Sequence, residues 1–131
     1  MGLNYIAIVV LTIAAFIFGM IWYSPILFGK PWLRLMRKKK TTMKMSAGTM
    51  IMGLINTFIM MWVLSFFITL IAQTNFTSGA VIGILLWLGF AATATFSSVL
   101  WAKKPFALWV IDNGFKLIVL LVAGGVFAIW V

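Results

Sequence analysis

Four apolar runs, each long enough to cross a bilayer, constrain this chain more than any other feature. They lie at about Leu3 to Tyr23, Ala47 to Ala72, Gly79 to Trp101 and Phe106 to Val131. A spanning helix needs about 20 predominantly apolar residues. In hydrocarbon a spanning segment must satisfy its own backbone, which a helix does internally. The expected fold is an all-α integral membrane protein, a four-transmembrane-helix bundle with residues 1–131 forming a single membrane domain. Composition agrees: 65% of residues are hydrophobic and 8% charged, against about 25% charged in soluble domains.

The charges predict a direction. Lys30, Arg34, Arg37, Lys38, Lys39, Lys40 and Lys44 fall between the first and second spans, and Lys103 and Lys104 between the third and fourth. The turn "QTNFTS" between spans two and three is uncharged. Even-numbered spans put both basic segments on one side, which the positive-inside rule makes cytoplasmic. Both termini are then expected outside, in an inner (plasma) membrane. The net charge of +9 is thus a topology signal, and no nucleic-acid partner is expected. The first span reads as a retained helix, because bulky "WYSP" stands where a signal peptidase would require small residues. The sequon at Asn75 sits in a turn too close to the membrane for glycosylation to be its expected role.

Reactive chemistry is scarce. The chain has no Cys, no His and one acidic residue, Asp112. That removes thiolate catalysis, zinc–thiolate sites and a serine triad with its usual base, and a paired-carboxylate hydrolase within one chain. No enzyme activity, cofactor or metal is expected. Met50, Met52, Met60 and Met61 in span two could ligate copper as thioethers. With no His or Cys beside them, flexible packing is preferred.

The informative polar group is "DNGFK", Asp112 to Lys116, inside span four. Ionisable side chains in hydrocarbon are costly and usually have a partner or a task. Asp112 and Lys116 share a helix face at i,i+4, at depths of about 10 and 16 Å counted from Pro105. Asn113 adjoins them, and Asn56 and Thr93 lie at comparable depth on spans two and three. Together these five residues predict an intramembrane polar pocket. One reading is structural: Asp112 and Lys116 neutralise each other while the amides and hydroxyl complete their hydrogen bonds. The other is a site for an ion, proton or small anion.

Small residues predict helix packing, since they let backbones approach where lipid removes the hydrophobic drive. Gly79 and Gly83 form GxxxG, followed by Gly89, Ala91, Ala92, Ala94, Ser97 and Ser98, which makes span three the expected central helix. Trp62 and Trp87 lie at similar depth and are expected to pack together; an indole N–H so deep wants an acceptor.

The stretch "WYSPILFGKPW", residues 22–32, reads as a helix exit followed by an elbow. Pro25 disfavours helix at Ser24. From Pro31, Trp32, Leu35 and Met36 alternate with Arg34, Arg37 and Lys38, as in a short interfacial amphipathic helix. Tyr23, Ser24 and Lys30 would form the cytoplasmic mouth of the pocket if span one lies beside span four. Arg34, Arg37, Lys38, Lys39 and Lys40 would meet anionic headgroups, each contributing about 1 kcal/mol near the surface.

Three stretches, "GMIWYSPILFGKPW" (19–32), "LLWLGFAATATFSSVLW" (85–101) and "IDNGFKLIVLLVAGGVFAIW" (111–130), resemble the DUF1761 family of small bacterial membrane proteins. The resemblance runs through nearly the whole chain and implies four spans but no activity. The chain departs from the family pattern in having Asp112 where Asn is usual, and Lys116 where a neutral polar residue or His is usual. The expected function is a non-enzymatic accessory, packing or lipid-interacting protein that forms a homo-oligomer or binds a partner membrane protein. The alternative is a small oligomeric channel or transporter using the pocket around Asp112 and Lys116.

Overall fold

The structure is a computed structural model that describes residues 3–24, 27–28, 30–31, 34, 47–71 and 74–130. Four helices are long and apolar enough to cross a membrane: α1 (Tyr5–Trp22), α2 (Ala47–Ile71), α3 (Phe76–Leu100) and α4 (Phe106–Ile129). The described residues contain no strand. Each helix falls where an apolar run predicts it, and two begin on side-chain caps. Asn4 accepts from the Ala7 N–H at 3.1 Å, and Asn75 accepts from the Thr77 N–H at 2.8 Å. Both satisfy donors that the first helical turn leaves orphaned. The Asn75 of the sequon is therefore a helix cap.

One end of the bundle carries Asn4, Asn75 and Trp130. There the Asn4 amide reaches the Trp130 carbonyl at 3.4 Å, closing α1 against α4. The other end carries Lys30, Arg34, Lys103 and Lys104, all exposed, and is called the basic end below. Its α3–α4 turn holds Lys103 at φ 54° and closes with the Lys104 N–H on the Ser98 carbonyl at 3.2 Å. The interfacial helix expected from Pro31, with Arg37, Lys38, Lys39 and Lys40, lies largely outside the described residues.

Helices α3 and α4 make the most extensive pair, and glycine is the reason. A methyl at Gly79 would overlap the Gly124 carbonyl, one at Gly124 would overlap the Gly79 carbonyl, and one at Gly83 would overlap the Leu120 carbonyl. The predicted GxxxG thus seats the terminal half of α3 backbone-to-backbone on α4. Around this seam Ile8, Met61, Leu64, Ile68, Phe127 and Ala128 form a buried core.

The central helix is α4, a correction to the expectation for α3. A third of its most apolar stretch is buried, 33% against 22% for α3, and it touches all three other helices. The small residues of α3 beyond Leu86 divide: Gly89, Ala94 and Ser97 are exposed, while Ala92 is buried. A π-helical stretch, Trp87–Ala92, interrupts α3 there. Hydroxyls take up the carbonyls that the wider turn loosens, as is common in membrane helices. Thr93 donates to Gly89 O at 2.8 Å and Thr95 approaches Ala91 O at 2.6 Å.

Candidate functional site

The site is the half of α4 nearest the basic end, and it follows from one step of helical geometry. Consecutive helical residues point about 100° apart, so Asp112 and Asn113 face different neighbours. Asp112 turns to α1, where the Tyr23 hydroxyl donates to its Oδ1 at 2.6 Å. Asn113 turns to α3 and is buried. Its Nδ2 donates to the Trp109 carbonyl at 3.0 Å, and its Oδ1 lies 2.9 Å from the Thr95 hydroxyl. That hydroxyl has one proton for three acceptors, Ala91 O, Ala92 O and Asn113 Oδ1.

Two indoles grip the α4 backbone beside these side chains. Trp22 donates to Ile111 O at 3.0 Å, and Trp87 donates to Asn113 O at 2.8 Å. A third, Trp109, donates from α4 to Ala92 O in the π stretch at 3.3 Å. Each bond crosses between helices, so each orients as well as holds. Phe115 fills the α1–α4 seam below Asp112, stacked on Phe18 at 5.5 Å and edge-on to Tyr23 at 5.8 Å. Gly19 lets it in: a Cβ there would stand 3.1 Å from the Phe115 ring.

Tyr23 lies just past the end of α1, in a turn where Ser24 Oγ bonds back to Ile21 O at 2.6 Å and the Phe28 N–H reaches Trp22 O at 3.0 Å. Burial, then the hydrogen bond and negative charge of Asp112, hold the Tyr23 phenol well above its ordinary range. The phenol therefore remains a donor to the carboxylate throughout neutral pH.

The expected pocket is realised only in part. Asp112 and Asn113 are adjacent but serve separate latches. Lys116 is half-buried on the same side of α4 as Asp112, yet no ion pair joins the two among the described residues, because the Asp112 carboxylate turns to the Tyr23 hydroxyl. Asn56 and Thr93 do not join them: both are exposed, and Thr93 bonds to its own helix. Thr95, two residues on, is the threonine that meets Asn113. Of the expected mouth, Tyr23 covers Asp112, Ser24 caps its own turn and Lys30 is exposed. Trp62 and Trp87 do not pack together. Trp62 stacks on Phe66 at 5.8 Å and donates to the Tyr5 hydroxyl at 3.4 Å, whereas Trp87 lies against Trp109 at 6.5 Å.

The three stretches that meet here are distant in sequence: "WY" closing α1, "WLGFAAT" in α3 and "IDN" in α4. Residues 6–128 match the family model DUF1761, a protein of unknown function. The chain belongs to the DUF1761 family. No curated protein and no solved structure matches it. In this DUF1761 chain the other notable surface is an apolar groove of about 270 Å³ along the α1–α4 seam, lined by Leu11, Ala14, Phe18, Ile118, Val119 and Val122 among others. No group of His, Cys, Asp or Glu among the described residues could hold a metal ion.

Proposed function

We propose that this DUF1761 protein is a non-enzymatic accessory protein of the bacterial inner membrane, with its termini outside and its basic segments in the cytoplasm. There it packs against lipid and membrane partners. The observation that carries this reading is where its polar groups go. Asp112 and Asn113 each bond to a neighbouring helix, and the opposite half of the bundle is closed by glycine contacts and apolar core. Among the described residues the buried polar side chains of that half are Thr12, which bonds to its own helix, and Ser65, fewer than a conducting path through one chain would need. The apolar α1–α4 groove suits a lipid tail, and the exposed Lys30, Arg34, Lys103 and Lys104 suit anionic headgroups. Arg37, Lys38, Lys39 and Lys40 would add to the same contact.

One observation favours a second reading, a small oligomeric channel or transporter. Lys116 is half-buried about 15 Å along α4 and has no hydrogen bond or ion pair among the described residues. An unneutralised cation at that depth is a recognised mark of a substrate or ion site. Flux measured with purified protein in liposomes separates the two. The accessory reading expects no flux across a panel of monovalent cations, protons and small anions. Flux that disappears in a folded Lys116→Met variant overturns it.

A further inference from the structure

The outer face of α2 carries a pattern that the bundle does not use. Met52, Asn56, Ile59, Val63, Phe66 and Leu70 follow one another at spacings of four, three, four, three and four residues. That is the a/d seam of a heptad repeat, the arrangement that lets one helix mesh with another. Here the seam faces away from the protein's own core. Met52 is 65% exposed, Ile59 55%, Val63 38% and Leu70 56%, Asn56 is exposed, and Phe66 is half-buried against Trp62.

Asn56 makes the seam more than apolar surface facing lipid. It lies nine residues into α2 from Ala47, about 13 Å along the helix axis, and no hydrogen bond to it is present among the described residues. An amide in hydrocarbon without a partner is costly, and this side chain is too short to reach the headgroups. Within coiled-coil seams a single Asn at such a position fixes register and partner number by bonding to its counterpart.

We infer that the face of α2 centred on Asn56 binds a second copy of this chain, forming a parallel two-fold dimer. The amide says which partner fits. Copies inserted in the same direction are related by an axis along the bilayer normal, so α2 meets α2 in parallel and Asn56 meets the same residue of the second copy at equal depth. An Asn amide both donates and accepts, and two of them across a two-fold axis satisfy each other. A one-residue shift of register would leave both unpaired. The interface rests on the chain being a bilayer protein and not on what it does there.

The absence of Cys gives a clean test in native membranes. Met52→Cys and Ile59→Cys, on the seam, are expected to form disulfide-linked homodimers several-fold more than Ile51→Cys on the same helix or Leu85→Cys on α3, both of which are exposed off the seam. Adding Asn56→Leu to the Ile59→Cys chain is expected to lower the dimer by about tenfold, the scale of interhelical amide bonds in membranes, while Asn56→Gln retains it. Equal cross-linking on and off the seam, adducts with a different protein, or a dimer indifferent to Asn56→Leu overturns the inference.

Discussion

The Tyr23 hydroxyl and Asp112 Oδ1, 89 positions apart in sequence, stand 2.6 Å from each other and fasten α1 to α4. Hydrogen bonds to charged groups contribute about 1.5–3 kcal/mol. Tyr23→Phe is therefore expected to lower stability by about 2 kcal/mol, read as a shift in denaturant-induced unfolding in micelles. Asp112→Asn preserves an acceptor for Tyr23 and is expected to stay within about 1 kcal/mol of the parent. Asp112→Leu should fall at least as far as Tyr23→Phe.

The same contact gives a pH dependence. The folded Tyr23 pKa is raised above the ordinary value of 10.0, chiefly by burial. A raised folded pKa means the native state holds its proton more tightly than the unfolded chain. The stabilisation is thus complete below pH 10 and is lost as pH climbs from there through the folded pKa. The chain has two tyrosines, Tyr5 and Tyr23. In Tyr5→Phe, ultraviolet titration should show no phenolate transition at 10.0 while the protein is folded, and a normal one after denaturation.

Glycines on α3 should divide by position. Gly79→Val or Gly83→Val drives a side chain into an α4 carbonyl, and overpacking of this kind costs about 1–3 kcal/mol or more. Gly89 has open space where a Cβ would go, so Gly89→Ala is expected to be neutral or stabilising by up to about 1 kcal/mol. Thermal unfolding of the three variants side by side checks the contrast.

Orientation can be read by labelling. Thr74 and Lys103 are exposed at opposite ends of the bundle. With Thr74→Cys, intact cells should react with a membrane-impermeant maleimide. With Lys103→Cys they should react only after permeabilisation. The reverse pattern would invert the proposed topology.

How far the chain could be read in advance differs by level. The helices were legible because span length and apolar content act locally, and Ala47 and Phe106 begin helices where the runs begin. The Gly79–Gly83 contact was legible because GxxxG is a local pattern with a packing cause. Facing was harder. Every side of α2 is apolar, so nothing in its sequence told whether Asn56 looked inward or outward. Depth alone grouped Asn56 and Thr93 with Asp112, and depth does not fix azimuth. The Asp112–Lys116 ion pair was reasonable on i,i+4 spacing, but a tertiary donor, the Tyr23 hydroxyl, takes the carboxylate. Trp22 stands in the helix exit, and its bond to Ile111 O had no local signature.

The π stretch of α3 acts as a phase shift in the helix. A single π turn takes one extra residue into the helix, and one residue is worth about 100° of rotation. Gly79 and Gly83, before it, and Thr95, after it, can therefore both address α4 although a straight α-helix would place them out of step. A single-residue deletion within Trp87–Ala92 would remove the surplus residue and restore the regular winding, with Thr95 still turned to Asn113 and the glycine seam still seated. In a chain this short, one surplus residue lets a single helix keep two appointments with the same neighbour.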